Sequence, residues 1–367
     1  MKKLLSFILF LIVSVTTTYS NEKIEISLLT CSEGKEAFTI WGHSALRIID
    51  HNQNQDLVYN FGLFDFNTPN FYLKFTQGKL KYKLGLHYSQ NFFESYKNEN
   101  REIIEQKLNL SDKEKSAIIN ELNYLYRPEN RYYYYSFVGK NCTSELRDII
   151  IDNTTNDFDR NSLTKKSYRQ ELNEYLTYRP WLKLGMCLIM GYKVDKKTTQ
   201  FESLFLPYYL CYALRDIKTE LGKPLILEEK VHFKTNQHKK SYPFYFHPLF
   251  ILSILSLVYI LVRSKSLQKS FILIIGMIGL LMLALIFYTE HYELKLNFNI
   301  LWCSPLYLVV ALLSKKNLSK KKTLSFINLI VMLLIIPIWL LKIQQFELFF
   351  LPIYLTLFII NIRILRE

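Results

Sequence analysis

Two short stretches of the chain carry side chains able to do covalent chemistry together. Trp41-Gly42-His43-Ser44-Ala45-Leu46-Arg47 sets a histidine at the start of an apolar, strand-like run. Tyr132 to Ser144 sets Cys142 between an aromatic stretch and the start of a helix. A cysteine at a helix start lies beside unpaired backbone N–H groups and the positive end of the helix dipole, and both favour its thiolate. An imidazole alongside lowers the thiol pKa further and then acts as general base and acid. Such a pair is the least that acyl transfer through a thioester requires, and free N–H groups at the helix start could hold the tetrahedral oxyanion. Each residue also has an ordinary reading. A lone cysteine usually packs as a small apolar side chain. A lone histidine is often a hydrogen-bonded core residue, and Tyr132–Tyr135 fits alternating aromatics filling a sheet core. Asn141-Cys142-Thr143 also matches a glycosylation sequon, a three-residue pattern that recurs by chance.

The elements that must position this pair follow from periodicity. Ile24 to Leu29 alternates as a strand does, and Ser32-Glu33-Gly34 turns the chain. Ala45–Ile49 and Leu57–Phe61 read as a hairpin across the polar stretch Asp50 to Asp56. Ser111-Asp112-Lys113-Glu114 fits a capping box, and the helix it opens carries Ile118, Ile119, Leu122 and Leu125 on one face before Pro128 ends it. A further helix starts near Cys142 and runs through Leu146, Ile149 and Ile150. The expected class of this half is α+β. Residues 229–243 are polar and basic and read as a linker, so the chain divides into 1–20, 21–228, the linker, and 244–367.

Composition excludes several function classes. The 367 residues carry a formal charge of +14, which by itself suggests nucleic acid. Twelve basic residues and one acid, Glu367, lie in the N-terminal and loop segments that flank apolar runs. There they fix membrane orientation, so no nucleic-acid partner is expected. Lys2 and Lys3, the apolar stretch Leu4–Val15 and Thr18-Tyr19-Ser20 fit a signal peptide over residues 1–20. The five cysteines are irregularly spaced, without CxxC, and the histidines show no HxH or HExxH. No metal or cofactor is expected. In an oxidising compartment Cys31, Cys187 and Cys211 could include one bridge.

Five apolar runs follow, at about 244–262, 271–288, 298–314, 324–341 and 346–362, each near the ~20 residues that cross a bilayer core. The third contains Asn299, Ser304 and Pro305 and is the weakest. Arg263–Lys269 carries three positive charges and Lys315–Lys322 five, while the alternate loops carry one Lys each. That bias sets the first two loops and the C-terminus in the cytoplasm and residue 243 outside, in agreement with the leader. The outer stretch Thr289–Trp302, with His291, Glu293, Asn297 and Asn299, is unusually polar for the lip of a membrane domain.

The two motifs, FxxWGHSALRI (Phe38–Ile48) and YYYYxFxxxNCTSxLRD (Tyr132–Asp148), together resemble the exported domain of the Lnb family of lipoprotein N-acyltransferases. The tail, including His291 and Asn297-Phe298-Asn299-Ile300-Leu301-Trp302, resembles that family's five-span membrane domain. The resemblance implies an exported domain of permuted papain-like (NlpC-type) fold, in which the His strand precedes the Cys helix. It makes Cys142 the nucleophile and His43 its base. Asn60 on the next strand becomes the third residue, with Tyr59 as competitor, and Ser44, Arg47 and Asn141 support the site. His291, Asn299 and Trp302 would line the substrate path. The implied donor is a membrane phospholipid, the acceptor a diacylated lipoprotein. The implied location is the bacterial inner membrane, with a periplasmic N-terminal domain and a cytoplasmic C-terminus. A membrane-anchored periplasmic cysteine hydrolase, peptidase or amidase, would use the same dyad, and a non-catalytic membrane binding module would use neither residue.

Overall fold

The computed structural model describes residues 23–234 and 242–367. The expected leader lies outside the described residues, as does 235–241 of the expected linker.

The first half is a mixed α/β domain. Its strands are β1 (Ile24–Cys31), β2 (His43–Asp50), β3 (Gln55–Leu63), β4 (Lys81–Tyr88), β5 (Ile103–Leu108), β6 (Tyr132–Tyr134), β7 (Leu163–Ser167), β8 (Lys197–Thr199) and β9 (Ile226–Phe233). Seven of them form one antiparallel sheet in the order β6-β4-β3-β2-β1-β5-β9, and β7 pairs with β8 apart from it. The helices are α1 (Phe71–Gln77), α2 (Ser89–Asn98), α3 (Asp112–Tyr126), α4 (Cys142–Asp152), α5 (Tyr168–Tyr175), α6 (Pro180–Ile189), α7 (Gln200–Ser203) and α8 (Pro207–Asp216). The β2–β3 hairpin and the Ser111 capping box form as the periodicity and spacing predict, with Glu114 closing the box.

Strand alternation sends successive side chains to opposite faces. Leu28, Leu46, Tyr59 and Phe61 face one way and pack on Ile118 and Leu122 of α3, Leu146 and Ile149 of α4 and Leu210 of α8. Leu29, Cys31, Ala45 and Val58 face the other way, under Phe92 of α2. The sheet is thus covered on both sides at its centre, and α4 lies against β2 and β3.

Residues 229–233, expected in the linker, continue an edge strand. β9 pairs with β5 from Ile226 to Phe233. Its charge hid it from a hydrophobic pattern, because Glu228, Glu229 and Lys230 sit on the exposed edge of the sheet. The bridge considered among Cys31, Cys187 and Cys211 does not form, and all five cysteines are free. Cys31 lies under α2 in the sheet core and Cys187 packs into the membrane-domain core.

The second half is helical: α9 (Pro248–Val262), α10 (Lys265–Tyr288), α11 (Leu306–Leu312), α12 (Leu318–Leu333), α13 (Ile335–Leu340) and α14 (Leu351–Arg366). Among the described residues, three helical stretches are long and apolar enough to cross a membrane: Lys265–Tyr288, Leu318–Leu340 and Leu348–Arg366. The first and third of the five expected runs depart from a full span. Pro248 starts α9 late, leaving 15 residues. The third run is two helical pieces, Tyr292–Leu301 and Leu306–Leu312, bent by 42°. Ser304 and Pro305 lie at the break, where proline supplies no N–H to continue a helix. This bent pair is seated on α10 by close backbone approach, since a Cβ on Gly279 would lie 1.7 Å from the Cys303 carbonyl oxygen.

The halves meet through polar contacts. Asn297 and Asn299 donate through their Nδ2 groups to the carbonyls of Cys187 and Leu188, the last turn of α6, which no helical N–H can satisfy. Arg169 of α5, fully buried, donates to both carboxylate oxygens of Asp195 and to the carbonyls of Met190 and Gly191. It thereby shapes the turn whose Gly191 N–H donates to the Glu293 carbonyl. Replacing Arg169 by Met should leave Asp195 buried without its partner and cost about 3–5 kcal/mol. Thermal unfolding of the detergent-solubilised full chain checks this, and a melting temperature equal to wild type would contradict it.

Candidate active site

Cys142 is the first residue of α4 and its side chain is partly exposed. The helix starts there because Asn141 caps it. The Asn141 Oδ1 accepts from the N–H groups of Thr143 and Ser144 at 2.8 and 2.9 Å, and Ser144 Oγ accepts from the Asn141 N–H at 2.8 Å. The Asn141 amide in turn donates to the carbonyls of Phe137 and Phe205. A buried, fully bonded Asn141 cannot serve as a sugar acceptor, so the sequon match carries no function. The cap also corrects the expectation of several free amides at the helix start: those of Thr143 and Ser144 are taken, and the cap leaves that of Cys142 itself.

His43 opens β2 and faces the thiol. Its Nε2 donates to Asn60 Oδ1 at 2.6 Å, which leaves Nδ1 for Cys142. Asn60 is buried, and its amide fixes the ring plane and tautomer. The competitor, Tyr59, lies on the opposite face of β3, where its hydroxyl donates to Asn123 of α3. Strand phase thus pairs Asn60, not Tyr59, with His43. The three residues arrive from three elements, a helix start and two adjacent strands.

Burial pushes the Cys142 thiol up, but the charge and hydrogen bond of His43, the Ser44 N–H and the Thr143 hydroxyl outweigh it and bring it from 9.0 down to about 7. Burial disfavours the His43 imidazolium, yet the thiolate beside it and the Asn60 hydrogen bond raise its pKa above the ordinary 6.5. The two shifts describe one ion pair. Cys31 and Cys211, buried without such a partner, are pushed up to about 12 and about 11. Cys142 is therefore the most acidic thiol of these three.

Of the expected supporting residues, Ser44 lies against the site: its N–H points to the thiol and its hydroxyl accepts from Thr143 at 3.1 Å. Arg47 does not. It pairs with Asp56 at 2.6 Å and Glu105 at 2.9 Å on the α2 side of the sheet. Asn299 and Trp302 are each 1% exposed; Trp302 Nε1 donates to Asn299 Oδ1, and both serve the joint with α6. His291 is partly exposed, with Nε2 donating to the Phe75 carbonyl at 2.9 Å, and it lines a small crevice with Phe75, Gly78, Leu80, Tyr82 and Tyr135.

Three participants escaped sequence reasoning. Gly62 has φ +88°, and a Cβ there would lie 3.6 Å from the Cys142 Cβ, so a bare backbone keeps that flank of the thiol open. Tyr133 hydroxyl, buried beside Gly62, makes no well-formed hydrogen bond. Glu293 of the outer stretch is 4% exposed and accepts from Ser136 Oγ and the Val138 N–H, both at 3.0 Å, which ties the loop before Cys142 to the membrane domain. The acidity of Thr289–Glu293 was visible in the sequence, but not its destination.

Residues 13–180 match the family model described as the Lnb N-terminal periplasmic domain, and residues 234–366 that described as the Lnb transmembrane domain. No curated protein and no solved structure matches the chain.

Alkylation of Cys142 by iodoacetamide reports the thiolate, so its rate should rise through a midpoint near pH 7. His43→Ala removes the two largest lowering influences while burial remains, and the midpoint should move well up from 7. A midpoint that stays near 7 in the variant would show that the imidazole does not activate the thiol.

Proposed function

The chain belongs to the Lnb family, and from that premise we propose that it is a lipoprotein N-acyltransferase of the bacterial inner membrane. The Cys142 thiolate attacks the ester carbonyl of a membrane phospholipid. A sulfur–carbon bond forms, the carbon–oxygen bond breaks, and the His43 imidazolium protonates the departing glycerol oxygen. A lysophospholipid leaves and the acyl chain stays on Cys142 as a thioester. The neutral α-amino group of a diacylglyceryl-cysteine then attacks. A carbon–nitrogen bond forms, the sulfur–carbon bond breaks, His43 takes the amine proton, and the thiolate–imidazolium pair is restored. The Cys142 N–H, left by the Asn141 cap, and the Ser44 N–H, which points to the thiol, would serve the oxyanion in both steps.

The observation that carries this reading is the joint between thiol and membrane domain. The loop leading into Cys142 is held by Glu293, a residue of the stretch that follows the 24-residue apolar helix α10. A hydrolase tethered near a membrane has no need of that bond; an enzyme whose two substrates both reside in the bilayer does. The order of the His strand before the Cys helix supports a circularly permuted papain-like domain, with Asn60 as the orienting residue. The basic loops support a cytoplasmic C-terminus.

In cells depleted of their own lipoprotein N-acyltransferase, the wild-type chain should add the mass of one acyl chain to the N-terminal peptide of an abundant lipoprotein, and Cys142→Ser should add none. Absence of added mass with well-expressed wild type would sink the proposal. Asn60→Ala should slow the transfer by up to about 100-fold through misplacement of the ring, while Cys142 remains open to alkylation.

A further inference from the structure

Helix α1 buries none of its seven residues. Tyr72, Leu73 and Phe75 on it, and Phe66 just before it, are all about half exposed or more. Phe64 and Phe66 pack edge to face and Phe71 tilts against both, so this is an ordered aromatic surface. Its position is fixed by the membrane domain. The Glu290 N–H donates to the Gln77 carbonyl at 2.8 Å, and His291 Nε2 donates to the Phe75 carbonyl at 2.9 Å. Both donors lie within three residues of the end of α10, whose last residues, Phe287 and Tyr288, are 73% and 78% exposed. Aromatic side chains at the end of a span sit at the headgroup level. The exposed face of α1 is continuous with that belt.

Below α1 lies the crevice lined by Phe75, Leu80, Tyr82, Tyr135 and His291. Its walls lead inward through neighbouring rings: Tyr82 stacks 4.6 Å from Tyr135 and lies tilted 6.5 Å from Tyr133, and Tyr133 borders Gly62 and the thiol. Exposed Lys79 and Lys81 follow α1 at its lip. Apolar walls, a headgroup-level opening and cations at the rim suit an acyl chain that still carries its phosphate headgroup.

We infer that α1 lies in the outer leaflet and that the crevice beneath it is the port through which the acyl chain of the donor phospholipid reaches Cys142. This rests on the acyl-transfer reading and adds where the donor binds. The apolar side chains of α1 contact lipid tails, and the aromatic walls hold the chain while its ester carbonyl meets the thiolate.

Two measurements on the full chain test it. In Cys142→Ser/Leu73→Cys, carrying an environment-sensitive dye on residue 73 and reconstituted in phosphatidylglycerol–phosphatidylethanolamine vesicles, brominated acyl chains should quench the dye. An unquenched dye overturns the inference. In the second, Tyr72→Ser/Leu73→Ser alters only exposed side chains of α1 that do not line the crevice. Its Cys142 should alkylate at the wild-type rate, and p-nitrophenyl acetate should acylate it normally. Formation of the Cys142 acyl-enzyme from vesicle phospholipid, read by mass, should fall about tenfold or more. Acylation from vesicles at the wild-type rate overturns the port. A quenched dye together with no acyl-enzyme from vesicles in wild type would instead remove the acyl-transfer reading, and the port with it.

Discussion

A thiol and an imidazole held against each other, both only partly exposed, constrain the residues around them. Each charge alone is disfavoured by burial, as the leading influence on both groups attests. The pair persists because its remaining hydrogen-bonding capacity is met by fixed groups: Asn60 on the outer ring nitrogen, and the Ser44 N–H and Thr143 hydroxyl on the sulfur. The partners are rigid for identifiable reasons. Ser44 and Asn60 sit on adjacent strands of a sheet covered on both faces, and Thr143 is the second residue of a helix fixed by the Asn141 cap. Arg47, which does not reach the thiol, contributes by joining Asp56 in the same hairpin to Glu105 on β5.

The same logic governs the joint between the halves. Polar side chains at the lip of a membrane domain are costly unless bonded. Asn297 and Asn299 spend their amides on the open carbonyls of α6, and Trp302 closes on Asn299, so this polarity is absorbed by the fold. Glu293 differs. One of its oxygens holds the Ser136–Val138 loop and the other has no hydrogen-bond partner among the described residues. Glu293 thus joins the outer stretch directly to the loop that ends at Cys142. The membrane domain therefore takes part in setting the site.

Much of this was legible in the amino-acid sequence. Short-range patterns carried well: the Ser111 box, the β2–β3 hairpin, and a helix opening at Cys142 are each set by residues within a few positions of one another. The choice between Asn60 and Tyr59 was not legible, because consecutive strand residues point to opposite faces and one residue of register decides which meets His43. β9 was hidden because an edge strand can be charged on the exposed side and still pair through its backbone. Pro305 already marked the third run as the weakest of the five, whereas the late start at Pro248 was hidden, because an average of apolar residues does not register a missing N–H.

What the sequence cannot encode locally is which polar residue of the outer stretch serves structure and which serves the site. His291, Asn299 and Trp302 have the composition expected of a substrate path, yet two of the three are buried in the joint. The distinction lies in partners 100 residues and more away: Leu188 for Asn299, and Ser136 for Glu293. Side-chain polarity near a membrane marks a cost that must be met. Only the long-range pairing says whether a helix end meets it or whether the loop before the thiol does.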